Sequence, residues 1–250
     1  MDYELMMNNN VKIGMKAPDF EAQTTMGIIS LNNYLGKWVV LFSHPGDFTP
    51  VCTTEMIAFA NANTYFKERN ARLLGLSVDS NSSHLAWIYD IYLHTGIKIP
   101  FPIIADRNGN IARKYGMISN DISNTQTVRN VYIIDPKGII RLILVYPMNI
   151  GRCIPAILRS LEALQISDKC SASTPANWTL GSPIINPIPQ TFSELEKRSE
   201  MVKNEKNGIN WYLSFKNPED CVQNKNLNKS EVKKLEDKTK NSNIKVKNNT

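Results

Sequence analysis

Residues 38–56, WVVLFSHPGDFTPVCTTEM, carry the clearest fold signal in the sequence. Residues 38–43 form a continuous apolar run of strand length, which is typical of a strand covered on both faces. A proline-containing loop over residues 44–50 follows. Residues 51–70 then repeat apolar side chains at partly helical spacing. A buried strand, a loop and a helix in this order indicate an α/β fold.

Strands and helices continue to alternate after this segment. The pattern predicts strands over residues 72–78, 102–105, 129–135 and 139–145, and helices over 82–94, 110–115 and 151–165. The last two strands flank Pro136-Lys-Gly138, which is typical of a hairpin. Residues 1–166 are therefore predicted to form one α/β domain with a mixed central sheet.

The composition of the sequence changes after Ile166. Prolines and glycines interrupt any long periodic element, and short helices are predicted only over residues 193–203 and 230–238. We expect residues 167–220 to form an extension that lies at a dimer interface. Residues 221–250 are rich in lysine and asparagine, and a segment of this composition is expected to be disordered.

Composition excludes several classes of protein. The chain has 250 residues, four cysteines and a net charge of +6. Residues 191–250 hold 13 Lys and Arg against 9 Asp and Glu, so +4 of that charge lies in the polar C-terminal part. This distribution does not favour nucleic-acid binding. No apolar run is long enough to span a membrane, and no secretory signal is visible, so a cytoplasmic protein is expected.

The four cysteines are too far apart for a paired motif. Cys52, Cys153, Cys170 and Cys221 form no Cys-x-x-Cys pair, which gives a zinc site or a two-cysteine redox motif little support. We expect neither a metal nor a cofactor. Cys153 is predicted to be a small buried apolar residue inside a helix.

Cys52 differs from the other cysteines because it follows a strand and a loop and lies within one turn of a predicted helix start. Unpaired N–H groups at a helix start stabilise a thiolate, the reactive form of cysteine. A helix terminus supplies only about 1–2 kcal/mol of this stabilisation. A thiolate at Cys52 therefore requires a nearby cation for the rest of its stabilisation.

The residues around Cys52 resemble the active-site loop of the peroxiredoxins. The family motif Pro-x-x-x-Thr-x-x-Cys is present as Pro45, Thr49 and Cys52. The longer stretch, residues 43–55, is similar to the one-cysteine subfamily and its archaeal and bacterial members. Further segments similar to the family occur in the family's order. One precedes this stretch, at residues 13–20, and the others come after it, at residues 75–79, 102–106, 129–135 and 174–178.

The resemblance implies a thioredoxin-like fold and a thiol peroxidase that reduces hydrogen peroxide and organic hydroperoxides. Cys52 would be the peroxidatic cysteine, which is oxidised to sulfenic acid. Thr49 would hold the peroxide through its hydroxyl, and Pro45 would shape the loop and shield the thiolate from water. Arg129 matches the family arginine that stabilises the thiolate and the peroxide oxygens.

Three neighbours receive weaker assignments from the same resemblance. His44 is expected to donate a hydrogen bond to the peroxide, the alternative being a histidine satisfied by loop backbone. Glu55 is expected to orient an arginine, although a glutamate in a first helical turn needs no such role. Arg152 matches a second family arginine. His84 and His94 fall on a presumed surface helix and receive no role.

The sequence departs from the family in its C-terminal cysteines. Archaeal members often carry two further cysteines, and Gly208 and Ser214 occupy the matching positions here. Cys221 is a candidate resolving cysteine, the alternative being a tail thiol without a role, and Cys170 is a weaker candidate.

The resemblance also implies partners. These are a hydroperoxide substrate, an external thiol or thioredoxin-type reductant, and a second copy of the chain in a homodimer or a ring of five dimers. Two alternatives stay open: a redox-sensing or holdase oligomer, and a thiol–disulfide oxidoreductase.

Overall fold

A computed structural model describes residues 11–221 of the chain. These residues divide between Leu158 and Arg159 into two compact units. Within residues 11–221, no helix is long and apolar enough to cross a membrane.

The first unit contains seven strands, three complete helices and the start of a fourth. The strands are β1 (Glu21–Thr24), β2 (Gly27–Ser30), β3 (Trp38–Ser43), β4 (Ala71–Ser77), β5 (Ile103–Ala105), β6 (Arg129–Ile134) and β7 (Ile140–Tyr146). The helices are α1 (Pro50–Glu68), α2 (Asn81–Thr95), α3 (Asn110–Lys114) and α4 (Ile154–Cys170), and a 3₁₀ turn spans Leu31–Tyr34. Helix α4 contains the division between the units.

One mixed sheet of order β2-β1-β5-β4-β3-β6-β7 organises this unit. Strand β3 lies next to the sheet centre, parallel to β4 and antiparallel to β6. All six residues of β3 and all six of β6 are buried, as the apolar run over residues 38–43 predicts. Because β3 ends directly before the loop that leads into α1, the start of α1 lies at the edge where β3 ends and β6 begins.

The second unit is smaller and is built on a three-stranded sheet of order β8-β10-β9. Its elements are β8 (Ile184–Ile185), α5 (Phe192–Glu205), β9 (Gly208–Asn210), β10 (Leu213–Lys216) and a 3₁₀ turn over Pro218–Asp220. Its core contains Ile166, Trp178 and Ile184 together with Cys170.

The predicted α/β class with a mixed central sheet is confirmed. Each strand and helix predicted between residues 38 and 165 is present, with bounds within three residues of the predicted ones except that the last helix continues to Cys170. Strands β1 and β2 were not predicted, because each has only four residues and their pairing depends on a turn at Gly27, where φ is 96°. The helix predicted over residues 230–238 lies outside the described residues, as does the tail after Cys221.

Candidate active site

Helix α1 places Cys52 and Glu55 on its buried face. Pro50 begins the helix, at the position where its missing N–H costs nothing. The buried residues of α1 recur at three- and four-residue intervals: Cys52, Glu55, Met56, Phe59, Asn63 and Phe66. A thiol and a carboxylate three residues apart therefore share one buried turn at the helix start.

Strand β6 brings Arg129 to the thiol. Arg129 is the first residue of β6 and is buried. Its Nη1 lies 3.3 Å from Sγ of Cys52 and 2.7 Å from Oε2 of Glu55. Nε and Nη2 both donate to the carbonyl oxygen of Met148, at 2.8 and 2.6 Å, which fixes the plane of the guanidinium. The cation that the sequence calls for beside Cys52 is Arg129.

Arg152 also binds the carboxylate of Glu55. Its Nε and backbone N–H each donate to Oε1 at 2.8 Å, and its Nη2 donates to Oε2 at 2.6 Å. Its Nη1 donates to the carbonyl oxygens of Ser43 and Asn130. The expected contact between Glu55 and an arginine is thus present with two arginines, and Arg152 joins α1 to the ends of β3 and β6.

The two arginines and Glu55 form a buried charged cluster beside Cys52. Two guanidiniums and one carboxylate give this cluster a net charge of +1. Burial acts to raise the pKa of Glu55. The hydrogen bonds and charge of Arg152, with the charge of Arg129, outweigh burial and hold that pKa below its usual range. The carboxylate therefore stays ionised and keeps both arginines in place.

The loop between β3 and α1 presents Thr49 as an acceptor. Its Oγ1 donates to the carbonyl oxygen of Gly46 at 2.9 Å, which leaves the hydroxyl lone pairs for an incoming O–H group. Pro45 is buried in the same loop. Phe48, directly before Thr49, is exposed and has φ of 55°. A left-handed conformation costs a bulky residue about 1–3 kcal/mol, so the surrounding contacts hold this loop in shape.

A second buried polar cluster adjoins this loop. His44 Nε2 lies 3.1 Å from Oδ1 of Asp47, and His84 Nδ1 lies 2.9 Å from Oδ2 of the same carboxylate. Burial lowers the pKa of His44, and Asp47 offsets this only in part. Burial acts to raise the pKa of Asp47, but its hydrogen bonds with the two histidines and their charge hold it well below its usual range. At neutral pH His44 is therefore uncharged and Asp47 ionised.

Two expectations from the sequence are wrong. His84 does not lie on a surface: it is fully buried and bonds to Asp47, a residue for which the sequence predicts no role. The spacing of His84, Trp87 and Ile91 along α2 is that of a buried stripe and would have indicated this. Cys153 is exposed and precedes α4, which begins one residue later, so it is neither buried nor helical.

The role expected of His44 as a donor to the peroxide stays a prediction. Its Nε2 lies beside the carboxylate of Asp47, and an ionised carboxylate only accepts hydrogen bonds, so in a neutral ring this nitrogen carries the proton. The other ring nitrogen, Nδ1, is buried and has no partner within residues 11–221. In this tautomer Nδ1 is an acceptor.

The two C-terminal cysteines form a disulfide. Cys170 and Cys221 are bonded, with their Cα atoms 5.4 Å apart, while Cys52 and Cys153 are free thiols. Nothing in the sequence predicts a disulfide between two cysteines 51 positions apart. The sulfur of Cys221 is therefore bonded to Cys170 in this structure and not to Cys52, and a resolving role for Cys221 stays a prediction.

Cys52 is a buried thiol at the start of a helix, and an arginine is in contact with its sulfur. A cysteine in such a position is typical of a thiol-based redox site. The model of the AhpC/TSA family matches residues 13–143, and the chain belongs to this family.

Its relatives are peroxiredoxins. The chain is 56% identical to Peroxiredoxin 2 of Caldanaerobacter subterraneus subsp. tengcongensis over 82% of this chain and 92% of the relative. It is 50% identical to a peroxiredoxin of Aquifex aeolicus over 76% of this chain and 83% of that one.

Solved structures agree with this family. The yeast mitochondrial 1-Cys peroxiredoxin, studied for resolution of its thiol via the glutathione/thioredoxin systems, has a TM-score of 0.70 and 40% identity, covering 83% of this chain and 99% of that one. A mutant of Peroxiredoxin 6 from Arenicola marina has a TM-score of 0.73 and 33% identity, covering 84% and 99%. The fold is thioredoxin-like and the protein is a thiol-dependent peroxidase with a peroxidatic cysteine.

The shifted pKa values predict that acid destabilises the protein in two stages. The unfolded chain protonates His44 near pH 6.5, whereas the folded protein resists this, so stability should fall as the pH drops below about 6.5. Glu55 and Asp47 have lowered pKa values, so their contribution is present above about pH 4.5 and is lost as the pH falls through their folded pKa. Urea unfolding midpoints between neutral and acid pH measure both stages.

The two stages can be separated by substitution. Each fully shifted group contributes up to about 1.4 kcal/mol per pH unit. His44→Phe should remove the upper stage, whereas His94→Gln, a change at an exposed histidine, should leave it. An upper stage that persists in His44→Phe would contradict the assignment.

Proposed function

We propose that Cys52 is the peroxidatic cysteine and that Thr49 and Arg129 hold the peroxide against it. The thiolate attacks the terminal oxygen of ROOH, an S–O bond forms, and the O–O bond breaks. Cys52 becomes sulfenic acid, and the leaving RO⁻ takes a proton to give an alcohol or water. Pro45 contributes no N–H and shields the thiolate from water.

The contact of 3.3 Å between Arg129 Nη1 and Cys52 Sγ carries this proposal. A guanidinium has five N–H donors, of which four are engaged by Met148, Cys52 and Glu55. One N–H of Nη2 has no partner within residues 11–221 and is available to a peroxide oxygen. Arg129 thus stabilises both the nucleophile and the charge that develops on the leaving oxygen.

Replacing Arg129 should slow oxidation of Cys52 by hydrogen peroxide. Arg129→Met removes a buried donor from the reacting atoms, and the loss of one such donor typically costs about 10²–10³ in rate. Stopped-flow measurement of the second-order rate checks this. Arg72→Met is the matched control, since Arg72 lies on β4 opposite Val39, near the start of β3 and away from the thiol. Equal rates in the two variants would refute the role of Arg129.

His44 is proposed as a further contact to the peroxide, as an acceptor. Ser43, the residue before it, binds Arg152 through its carbonyl oxygen. The His44 ring centre lies 5.2 Å from that of Trp87, whose Nε1 donates to Oγ1 of Thr53, the residue after Cys52. This chain of contacts supports a place for His44 beside the reacting thiol.

The finer features of the function follow from the family. We propose that the protein reduces hydrogen peroxide and organic hydroperoxides in antioxidant defence in the cytoplasm. It would be re-reduced by an external thiol or a thioredoxin-type donor, as the link of the yeast relative to the glutathione/thioredoxin systems suggests. We propose a homodimer, with the ring of five dimers as the larger alternative.

A resolving role for Cys221 requires exchange with its partner. Cys221 would attack the sulfenic acid of Cys52 only after the bond to Cys170 is reduced, since a bonded sulfur is no nucleophile. The presence of this bond favours a one-cysteine cycle with an outside thiol.

A further inference from the structure

The cluster of His44, Asp47 and His84 contains protons that can be placed from its geometry. Nδ1 of His84 lies 3.0 and 2.9 Å from the two oxygens of Asp47, and Nε2 of His44 lies 3.1 Å from Oδ1. The other nitrogen of His84, Nε2, lies 3.2 Å from the carbonyl oxygen of Ile104. Both histidine side chains are fully buried, so their ring nitrogens depend on partners within the protein.

The partners of His84 require a proton on each of its ring nitrogens. A carbonyl oxygen only accepts hydrogen bonds, so Nε2 donates to Ile104. An ionised carboxylate also only accepts, so Nδ1 donates to Asp47. A ring protonated at both nitrogens is an imidazolium cation, and Asp47 balances its charge.

His44 is left as the neutral member of the cluster. The Asp47 carboxylate balances one buried cation. The next carboxylate, Asp79, is only partly buried and accepts hydrogen bonds from the backbone N–H of Asp47 and the hydroxyl of Ser77, so a second imidazolium would have no carboxylate of its own in the interior. The proton of His44 lies on Nε2, because this nitrogen faces Asp47. Nδ1 then carries a lone pair, and a buried acceptor without a partner is tolerated better than a buried N–H without one.

The same three side chains could in principle ligate a metal, since their ligand atoms lie within 4.8 Å of one another. A metal ion on Nε2 of His44 would move the ring proton to Nδ1. That N–H would be buried, with no acceptor in the part of the chain that the structure describes. The proton network leaves no such orphan donor, so the geometry favours protons over a metal.

We propose that His84 is a positioning residue for the peroxidase reaction, and that through Asp47 it holds His44 in the tautomer whose Nδ1 accepts a hydrogen bond from hydrogen peroxide. This rests on the proposed role of His44. Without the cation at position 84, the Asp47 carboxylate would lack its counter-charge, and His44 would take up a proton from solvent and become the cation beside it. The charged ring offers two donors and no acceptor.

This arrangement has a consequence for substrate preference. Thr49 offers the acceptor for one O–H group, because its own hydrogen is engaged by Gly46. An alkyl hydroperoxide has only one O–H group, whereas hydrogen peroxide has two. A second acceptor at His44 therefore favours hydrogen peroxide over alkyl hydroperoxides.

The protonation states can be observed directly by ¹⁵N NMR of the imidazole rings in the intact chain at neutral pH. The chain has three histidines, so His84→Gln and His94→Gln assign the spectrum. We expect His84 to show two protonated nitrogens and His44 one protonated and one bare nitrogen. In His84→Gln, the His44 signals should shift toward the charged form. A bare nitrogen on His84 would overturn the proposal.

Oxidation rates of Cys52 provide the functional test. In His84→Gln the rate with hydrogen peroxide should fall about fivefold to tenfold, the worth of one neutral hydrogen bond. The rate with tert-butyl hydroperoxide should stay within about twofold. His94→Gln, on the same helix but exposed, should match the wild type with both. Equal losses with both peroxides would indicate a merely structural role and refute the proposal.

One further variant separates the two proposals. His44→Phe keeps a ring against Trp87 but offers no acceptor, and its rate with hydrogen peroxide should fall at least as far as that of His84→Gln. An unchanged rate in His44→Phe would refute the role of His44 at the peroxide and the positioning role with it. A loss in His44→Phe with no change in His84→Gln would refute the role of His84 alone.

Discussion

Replacing Cys52 with serine should abolish peroxide turnover while leaving the fold intact. Serine is close to cysteine in size, but its hydroxyl stays protonated where the thiol ionises, so the nucleophile is lost. We expect the rate of peroxide consumption with dithiothreitol to fall by at least about a thousandfold. The unfolding midpoint should change little, because the ion pairs of Glu55 with Arg129 and Arg152 remain.

Cys153→Ser is the matched control for this experiment. Cys153 is the other free thiol within residues 11–221, and it is exposed beside Arg152 without contacting the reacting atoms. Its replacement should leave turnover unchanged. Mass spectrometry after one equivalent of hydrogen peroxide should find the added oxygen on Cys52 in the wild type and in Cys153→Ser. Turnover that survives in Cys52→Ser would place the peroxidatic thiol elsewhere.

The central part of the fold and the shared helical turn of Cys52 and Glu55 could be predicted because their signals are local. The apolar run of β3, the loop and the start of α1 are contiguous, and Cys52 and Glu55 lie one helical turn apart. Arg129 needed the family resemblance, since nothing local says that the first residue of β6 lies beside α1. That contact arises from the antiparallel pairing of β3 and β6.

The cluster around Asp47 was missed because its signal is distributed. His84 lies 37 residues after Asp47, and its burial follows from a stripe on α2 that was interpreted as surface. The stripe contains Trp87 and Ile91, which are both buried, so helical spacing outweighs the polarity of one member.

The C-terminal disulfide shows a different limit of prediction from a single sequence. In the structure Gly208 and Ser214, which the family resemblance matches to two cysteines, are paired across β9 and β10. A Cβ on Gly208 would approach the Cα of Ser214 to 2.7 Å, so the two strands are unusually close here. The chain instead links Cys170 to Cys221. Such a pairing depends on where the end of α4 and the turn after β10 lie in space, which a single sequence does not report.

Removing the carboxylate of Glu55 should destabilise the protein more than any other single charge removal at the site. Glu55 is buried between Arg129 and Arg152, whose nearest nitrogens lie 2.7 and 2.6 Å from Oε2. In Glu55→Ala the two guanidiniums would remain in the interior without this counter-charge. Breaking a buried ion pair in this way costs about 3–5 kcal/mol, a large share of a typical total stability of about 5–15 kcal/mol.

Urea unfolding followed by circular dichroism measures this loss. Glu68→Ala is the matched control, since Glu68 ends the same helix and its side chain is half-exposed. Its substitution should stay within about 0.5 kcal/mol of the wild type. Similar midpoints for Glu55→Ala and Glu68→Ala would show that the buried carboxylate does not hold the two arginines in place.

A double substitution tests whether uncompensated charge is the cause. Arg152 lies over the rings of Phe42 and Phe59, at 5.2 and 5.6 Å from their centres, so an apolar side chain has packing partners there. Because well-packed apolar residues can replace a buried ion pair with little loss, Glu55→Leu combined with Arg152→Met should be more stable than Glu55→Ala alone. The carbonyls of Ser43 and Asn130, which Arg152 binds, would lose their donor, so recovery should be partial. A double variant less stable than Glu55→Ala would show that these carbonyl contacts, and not charge balance, dominate the stability of the site.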